Sequence, residues 1–408
     1  MGVAATEVPT ERTRRAAAAW AFRVSIVPWL VARVVVGLAL GVGHELVTRH
    51  HLTGAAAARV HEGLLGWDAG WYEAIAGHGY AGAGHSSLRF FPLFPLLGRA
   101  LAVLPGISVG AAVVIVANLS ALLGTVVLVG LVRFESGDES LAGRVGWLVC
   151  LAPAAFVFVM GYAEGTLLAL AAGCFFALRT RHFGWAALLG LAAGLTRPLG
   201  ALLFVPAAIE GWRALQGSRA ARASRAAASG PAVAETTRAR PRPRVGELIG
   251  PAAAVAGPVA GSGAFLGWVA WRYGDGLAPL RLQEEAVHHG QLVDPLVTLA
   301  HDASYLVHGR HLGEALHLPW VLVVLALLVV TFRRWPASYG WFSAAVLVVA
   351  LSGSNLDSFE RYALSAFPLV LAGATLTASR RVQQIVLALS GATMFGYALL
   401  AFANRYVP

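Results

Sequence analysis

The chain has 408 residues, 57% of them hydrophobic and only 13% charged, and its net charge of +10 is carried by arginine alone because lysine is absent. A soluble globular domain carries about a quarter charged residues, so this composition excludes an ordinary water-soluble protein. Apolar runs of about 17–25 residues, the length that crosses a ~30 Å hydrocarbon core as a helix, recur along the chain and specify an all-α polytopic membrane protein.

Residues 1–25, with Arg12, Arg14 and Arg15, read as a cytoplasmic tail. No small-residue cleavage site follows a short apolar core, so no cleaved signal peptide is expected. Eleven spans follow, near 26–48, 110–132, 145–161, 163–178, 183–198, 199–212, 247–271, 318–333, 338–352, 362–378 and 383–403. They divide into an N-terminal catalytic module, 26–212, with an outer loop at 49–109, and a C-terminal module, 247–408, with an outer loop at 273–317. Between them, 213–246 is rich in Ala, Arg, Ser and Pro and reads as a flexible basic linker in the cytoplasm. Cys150 and Cys174 fall inside apolar runs and read as small buried residues, which argues against disulfide or zinc frameworks.

The arginines set the orientation. With the N-terminus inside, the clusters at 133–144, 179–183, 213–244, 333–335 and 379–381 all fall in the cytoplasm, as the positive-inside rule prefers. The segment 88–105, "LRFFPLFPLLGRALAVLP", is short and holds three prolines, so it reads as a juxtamembrane or re-entrant piece on the outer side. Arginine excess of this kind marks cytoplasmic loops, not nucleic-acid binding. Usage rich in Ala, Gly, Val and Arg without Lys suggests a GC-rich bacterial genome and hence a bacterial cytoplasmic membrane.

The polar motifs outside the arginine clusters gather on the opposite, outer side: 66–80, 160–166, 195–200, 273–317 and 352–368. They read as the walls of one site. In "GWDAGWYEAIAGHGY" (66–80), Asp68 reads as the N-cap of a two-turn helix that Gly77 stops. Trp67, Trp71 and Ile75 share one face, which suits a helix lying in the membrane interface. A cap and an aromatic anchor explain these residues in plain structural terms; the alternative is that Asp68 is a general base held at the membrane surface.

"WDAGWYEAIAGHGY", then "FFPLFPLL" (90–97), "YAEGTLLAL" (162–170) and "ERYALSAFPLVLA" (360–372) resemble the PIG-V-like mannosyltransferases, the family of GPI mannosyltransferase II. The W-D-x-x-W-Y signature with the Phe-Phe-Pro segment is the specific part. The resemblance implies a GT-C glycosyltransferase that uses lipid-phosphate sugars, with Asp68 at the catalytic acid position and Glu164 at the second family acid. It also draws Trp67, Trp71, Tyr72 and Tyr162 into the substrate site. The chain departs from the pattern at Tyr-Ala-Glu-Gly, where many relatives have Tyr-Ser-Glu-Ser, so a serine role there has no counterpart.

A polyprenyl-phosphate sugar carries its own leaving group, so the enzyme needs a base and a balance for phosphate charge. Asp68 would take the proton as an acceptor hydroxyl attacks the anomeric carbon, with inversion. Arg361 first and Arg197 second would bind the phosphate, because guanidinium groups pair with its oxygens bidentately. For Arg361 the plain alternative is a headgroup anchor, and for Arg197 a break between two short spans. Glu164, beside Tyr162, is an ionisable residue in apolar surroundings and so a functional candidate. The histidines of 273–317 (His288, His289, His301, His308, His311 and His317) match no metal signature; His288 and His289 could meet the phosphate from a lid. Asp357 and Glu360 flank Arg361 and could orient it.

No Walker loop, dinucleotide fingerprint or zincin helix is present, so no cofactor is expected beyond the lipid-linked donor. The leading expectation is a transferase moving a hexose, with mannose favoured, to a glycolipid, lipoglycan or protein hydroxyl at the outer face. A secondary transporter or lipid flippase is the rival, although it calls for mid-membrane charges and a repeat. A catalytically idle assembly subunit is the third reading.

Overall fold

Some apolar runs become long helices, even with prolines inside them (Pro28 in Glu11–Arg49, Pro251 and Pro258 in Val245–Tyr273), while others break at a proline, and those breaks define this fold. The computed structural model describes residues 11–51, 53–228, 245–284, 291–308, 317–354 and 356–408. These residues are helical, with no strand among them and one isolated antiparallel bridge between Leu292 and Gly353. The first half comprises α1 (Glu11–Arg49), α2 (Ala55–Glu62), α3 (Asp68–Ala83), α4 (Leu93–Leu101), α5 (Val109–Ser136), α6 (Glu139–Leu151), α7 (Glu164–Arg179), α8 (Phe183–Thr196) and α9 (Phe204–Ala228). The second comprises α10 (Val245–Tyr273), α11 (Pro295–His308), α12 (Leu318–Arg334), α13 (Ala337–Leu351), α14 (Phe359–Ser365), α15 (Pro368–Leu376) and α16 (Arg380–Phe402).

Four described stretches are long and apolar enough to cross a membrane: Arg15–Arg49, Val109–Ser136, Gly246–Tyr273 and Arg380–Phe402. Leu38, Leu119, Val348 and Leu389 are each more than half exposed on α1, α5, α13 and α16, a placement that suits contact with lipid. The other predicted spans are shorter or broken. The run at 145–161 gives way to a 3-10 turn at Pro153–Phe158, 199–212 opens with another at Pro198–Leu203, and 362–378 divides into α14 and α15 at Pro368. In each case the proline opens the following segment, the helix position where its missing N–H leaves no bond unmade. The segment 88–105 contains only the nine-residue α4, about 14 Å long and too short to span. Helix α9 runs to Ala228, beyond residue 213 where a linker was expected to begin, because its Ala, Arg, Leu and Gln residues favour a helix. Residues 229–244 lie outside the described set. Both cysteines are buried and unpaired.

The breaks deliver the site. Tyr162 and Glu164 follow the Pro153 turn, Arg197 precedes Pro198, and Arg361 rides on α14 ahead of the Pro368 break. Unwound backbone inside a helical bundle needs partners, since an unpaired buried carbonyl is costly. Arg33 from α1 donates to the Phe158 carbonyl at 3.1 Å and to Asn118 Oδ1 at 2.8 Å, and the Asn118 amide donates to the Val159 carbonyl at 2.9 Å. Two long helices thus hold the unwound stretch that leads to Glu164.

Glycine sets the spacing elsewhere. Gly190 and Gly194 on α8 face Gly257 and Gly261 on α10, a small-xxx-small pattern on both partners. A Cβ at Gly194 would overlap the Pro258 carbonyl oxygen, and one at Gly261 would overlap the Leu191 carbonyl oxygen. The Ser262 hydroxyl donates to the Gly194 carbonyl at 3.0 Å across the same contact. Because backbone meets backbone, no rotamer change can make room. Gly261→Ala is therefore expected to lower stability by about 1–3 kcal/mol. Gly263→Ala, whose Cβ would meet open space, leaves it unchanged or higher. Thermal unfolding in detergent compares the two.

Candidate active site

Asp68 opens α3, and the backbone before it is strained. Trp67 has φ 59°, a left-handed value uncommon for a residue other than glycine. It is held there on three sides: its indole N–H donates to the Ala401 carbonyl at 3.0 Å, the Arg59 guanidinium lies 4.1 Å over its ring, and the Asp68 N–H donates to the Tyr162 hydroxyl at 3.2 Å. Trp67, and not Asp68, occupies the N-cap, and the helix continues past Gly77 to a kink at Gly79. The Asp68 carboxylate is instead used elsewhere. Trp71 stacks on Phe90 at 6.0 Å and Ile75 is buried, so the predicted aromatic face is turned to partners within the protein.

Four charged side chains form a continuous array. Arg361 Nη1 lies 2.6 Å from Asp68 Oδ2 and 3.3 Å from Glu164 Oε1, and Arg197 Nη1 binds the same Glu164 oxygen. The array is charge-balanced, two carboxylates against two guanidiniums. Tyr162 and Tyr362 lie 5.5 and 5.3 Å from Arg361, and Tyr362 also lies 5.5 Å from Arg197. Accessibility separates the members: the Asp68 side chain is 27% exposed, against 2% for Glu164, 7% for Arg361 and 10% for Arg197. Asp68 is the acid a substrate can reach.

It opens into a cavity of about 480 Å³. Trp67, Trp71, Tyr72 and Phe90 form an aromatic wall; Arg89, Arg197 and Arg361, with Tyr362 beside the last two, form a cationic one; and Leu280, Gln283 and Leu292 come from the 273–317 segment. All five predicted polar segments therefore meet here or directly behind. Glu164 and Tyr162 stand behind the wall, where Glu164 fixes both arginines. Gly161, in the same segment, donates its N–H to the Leu64 carbonyl at 2.9 Å, which ties it to the Asp68 loop. The departure Tyr-Ala-Glu-Gly also has a cause: a Cβ at Gly165 would press on the Ala117 carbonyl and on Ala121 of α5, so a side chain there meets a packed helix.

The expectation for Glu360 is corrected. It turns away from Arg361 and accepts hydrogen bonds from His317 Nδ1 at 2.9 Å, Tyr406 at 2.9 Å and Tyr397 at 3.2 Å, because neighbouring residues on a helix point about 100° apart. Asp357 lines the cavity. His288 and His289, and also His311, lie outside the described residues. Sequence reasoning passed over Arg89 and Tyr362. Arg89 immediately precedes the Phe-Phe-Pro segment, outside every arginine cluster, and that isolation was the available signal.

Burial pushes the Asp68 carboxyl up, but the charge and hydrogen bond of Arg361, with the charges of Arg89 and Arg197, more than offset it and hold the carboxyl below its usual range. Burial also raises the Tyr72 phenol to about 12, so it stays protonated near neutrality. Because the folded value of Asp68 lies below the unfolded one, stabilisation by the pair is full above the carboxylate range and is lost as pH falls through the folded value. The melting-temperature gap between wild type and Asp68→Asn is expected to hold steady from about pH 5 to 8 and to close below about pH 4. In an Arg361→Gln background the effect reverses: Asp68→Asn then stabilises near neutral pH, since the carboxylate has lost its counter-ion beside Glu164.

Residues 44–202 match the family model Mannosyltransferase (PIG-V). The match spans less than half of the chain and includes Asp68, Arg89, Glu164 and Arg197 but not Arg361. It supports a glycosyltransferase of PIG-V type. No curated protein matches the chain.

Proposed function

We propose that this PIG-V-like chain is a GT-C type mannosyltransferase that moves mannose, with inversion, from a polyprenyl-phosphate donor to an acceptor hydroxyl at the outer membrane face. In this reading the shorter helices join the four long ones to make about eleven crossings, with the N-terminus in the bacterial cytoplasm. The observation that carries it is the position of Asp68: the exposed end of an otherwise buried ion-pair array, in the wall of a cavity large enough for a sugar, within the region that matches the family.

The acceptor oxygen forms its bond to the anomeric carbon while its proton passes to the Asp68 carboxylate. The bond from that carbon to the phosphate oxygen breaks, and its electron pair leaves on polyprenyl phosphate. Arg361 links the two ends of the step. Bound to Asp68 it keeps the carboxylate ionised and ready; once it shares its charge with a donor phosphate its hold on Asp68 weakens, and the carboxylate becomes a better base. Glu164 keeps Arg361 and Arg197 in place, and the aromatic wall suits the apolar faces of sugar rings.

Transfer from radiolabelled polyprenyl-phosphate mannose, measured for wild type and Asp68→Asn, tests this. The substitution keeps size and hydrogen bonding but removes basicity, so a folded variant with at least ~10²-fold lower turnover is expected. Turnover near that of wild type refutes the assignment.

A further inference from the structure

Helix α16 ends in a turn that brings the following residues to the cavity. Asn404 takes φ 57°, a left-handed value that asparagine tolerates, and the Asn404 and Arg405 N–H groups donate to the Ala401 and Leu400 carbonyls at 3.2 and 2.8 Å. This Schellman-type cap closes the helix from its own backbone. The bonds made beyond it are therefore not needed to end α16. Val407 and Pro408 line the same cavity as Asp68 and Arg361.

The segment 401–408 grips both partners of that ion pair. On the Asp68 side, the Ala401 carbonyl accepts the Trp67 indole N–H at 3.0 Å. Asn404 Oδ1 accepts from Arg59 Nε at 3.3 Å, and this is the guanidinium that lies over the Trp67 ring. On the Arg361 side, the Tyr406 hydroxyl donates to Glu360 at 2.9 Å. The Ser358 hydroxyl donates to the backbone oxygens of Pro408 at 2.8 Å and Val407 at 3.4 Å. Ser358 precedes α14 at φ 63°, just as Trp67 precedes α3 at φ 59°. Left-handed residues other than glycine persist where their surroundings over-determine them, and both of these find a partner in one short segment. Asp68 and Arg361, 293 positions apart, each follow closely on a strained residue tied to 401–408.

We propose that residues 401–408 clamp the candidate active site: Ala401, Asn404, Tyr406 and the Val407–Pro408 backbone are positioning groups that fix α3 against α14 and so set the Asp68–Arg361 contact. The clamp itself stands on the geometry of the ion pair; its effect on turnover rests on the reading of Asp68 as the base.

A double-mutant cycle on the full chain in detergent is the test. The melting-temperature cost of Asp68→Asn near pH 7 reports how well Arg361 is placed against the carboxylate. Tyr406→Phe keeps the ring beside Tyr397 but removes the bond to Glu360, and Ser358→Gly removes the tie to 407–408 while suiting φ 63°. Each is expected to shrink the cost of Asp68→Asn, and together by roughly half, since groups coupled through one contact do not add. Ser379→Ala, which weakens the cap at the other end of α16, is expected to leave that cost unchanged. An unchanged cost in the clamp variants would mean helix-end packing alone, and equal shrinkage in Ser379→Ala would mean general loosening; both overturn the clamp. In transfer from radiolabelled polyprenyl-phosphate mannose, kcat is expected to fall about tenfold in the clamp variants, as misplaced reacting groups require. Unchanged kcat overturns the clamp's part in transfer, whereas a wild type without transfer refutes the transferase reading and leaves the cycle standing.

Discussion

One guanidinium organises the candidate active site. Arg361 stands between two carboxylates that would otherwise repel each other, 2.6 Å from one and 3.3 Å from the other. Remove it, and Asp68 becomes an unpaired acid beside a Glu164 held by Arg197 alone, a change that costs stability and works against an ionised base. The surrounding structure reads as support for that contact: Tyr162 and Tyr362 flank the guanidinium, Arg197 draws Glu164 from the other side, and Glu360 anchors α14 from behind through His317, Tyr397 and Tyr406.

Helix breaks, which weaken a membrane bundle in isolation, are how those charges reach the cavity. A side chain in mid-helix is confined to one of the faces that the helix repeat allows, whereas a residue beside a proline turn can be aimed freely. The cost is exposed backbone, and the bundle meets it with Arg33 and Asn118 on the carbonyls of Phe158 and Val159. Close glycine contacts between α8 and α10 then fix the helix that ends just before Arg197.

Much of this was legible in the amino-acid order. Apolar runs with arginine clusters between them identify a helical membrane protein, and the five polar segments that share one side in the topology do converge. Asp68, Glu164, Arg197 and Arg361 could be singled out because ionisable groups amid apolar sequence need a reason. What stayed hidden depends on three-dimensional direction. Nothing local says that Glu360 and Arg361, adjacent on one short helix, serve opposite sides of it, or that Asp68 gives up a capping role for a partner 293 residues away. Three prolines mark 88–105 as too broken to span, whereas the single Pro368 gives no such warning in 362–378 and yet divides what looks like one span. The close approach of Gly165 to α5 explains a motif departure that the linear text offers only as a difference.

The strained Trp67 sets a limit on how this chain can vary. Its backbone turn is held from Arg59 on one flank and from the Ala401 carbonyl on the other, so the angle at which Asp68 is presented depends on the register of the last helix. A single-residue insertion or deletion in α16 ahead of Ala401 would rotate that carbonyl by about 100° and carry off the indole's acceptor, misdirecting an acid more than 330 positions earlier in the chain. Length changes in this helix should therefore be far less tolerated than side-chain exchanges on its outward face, although no part of it touches the cavity.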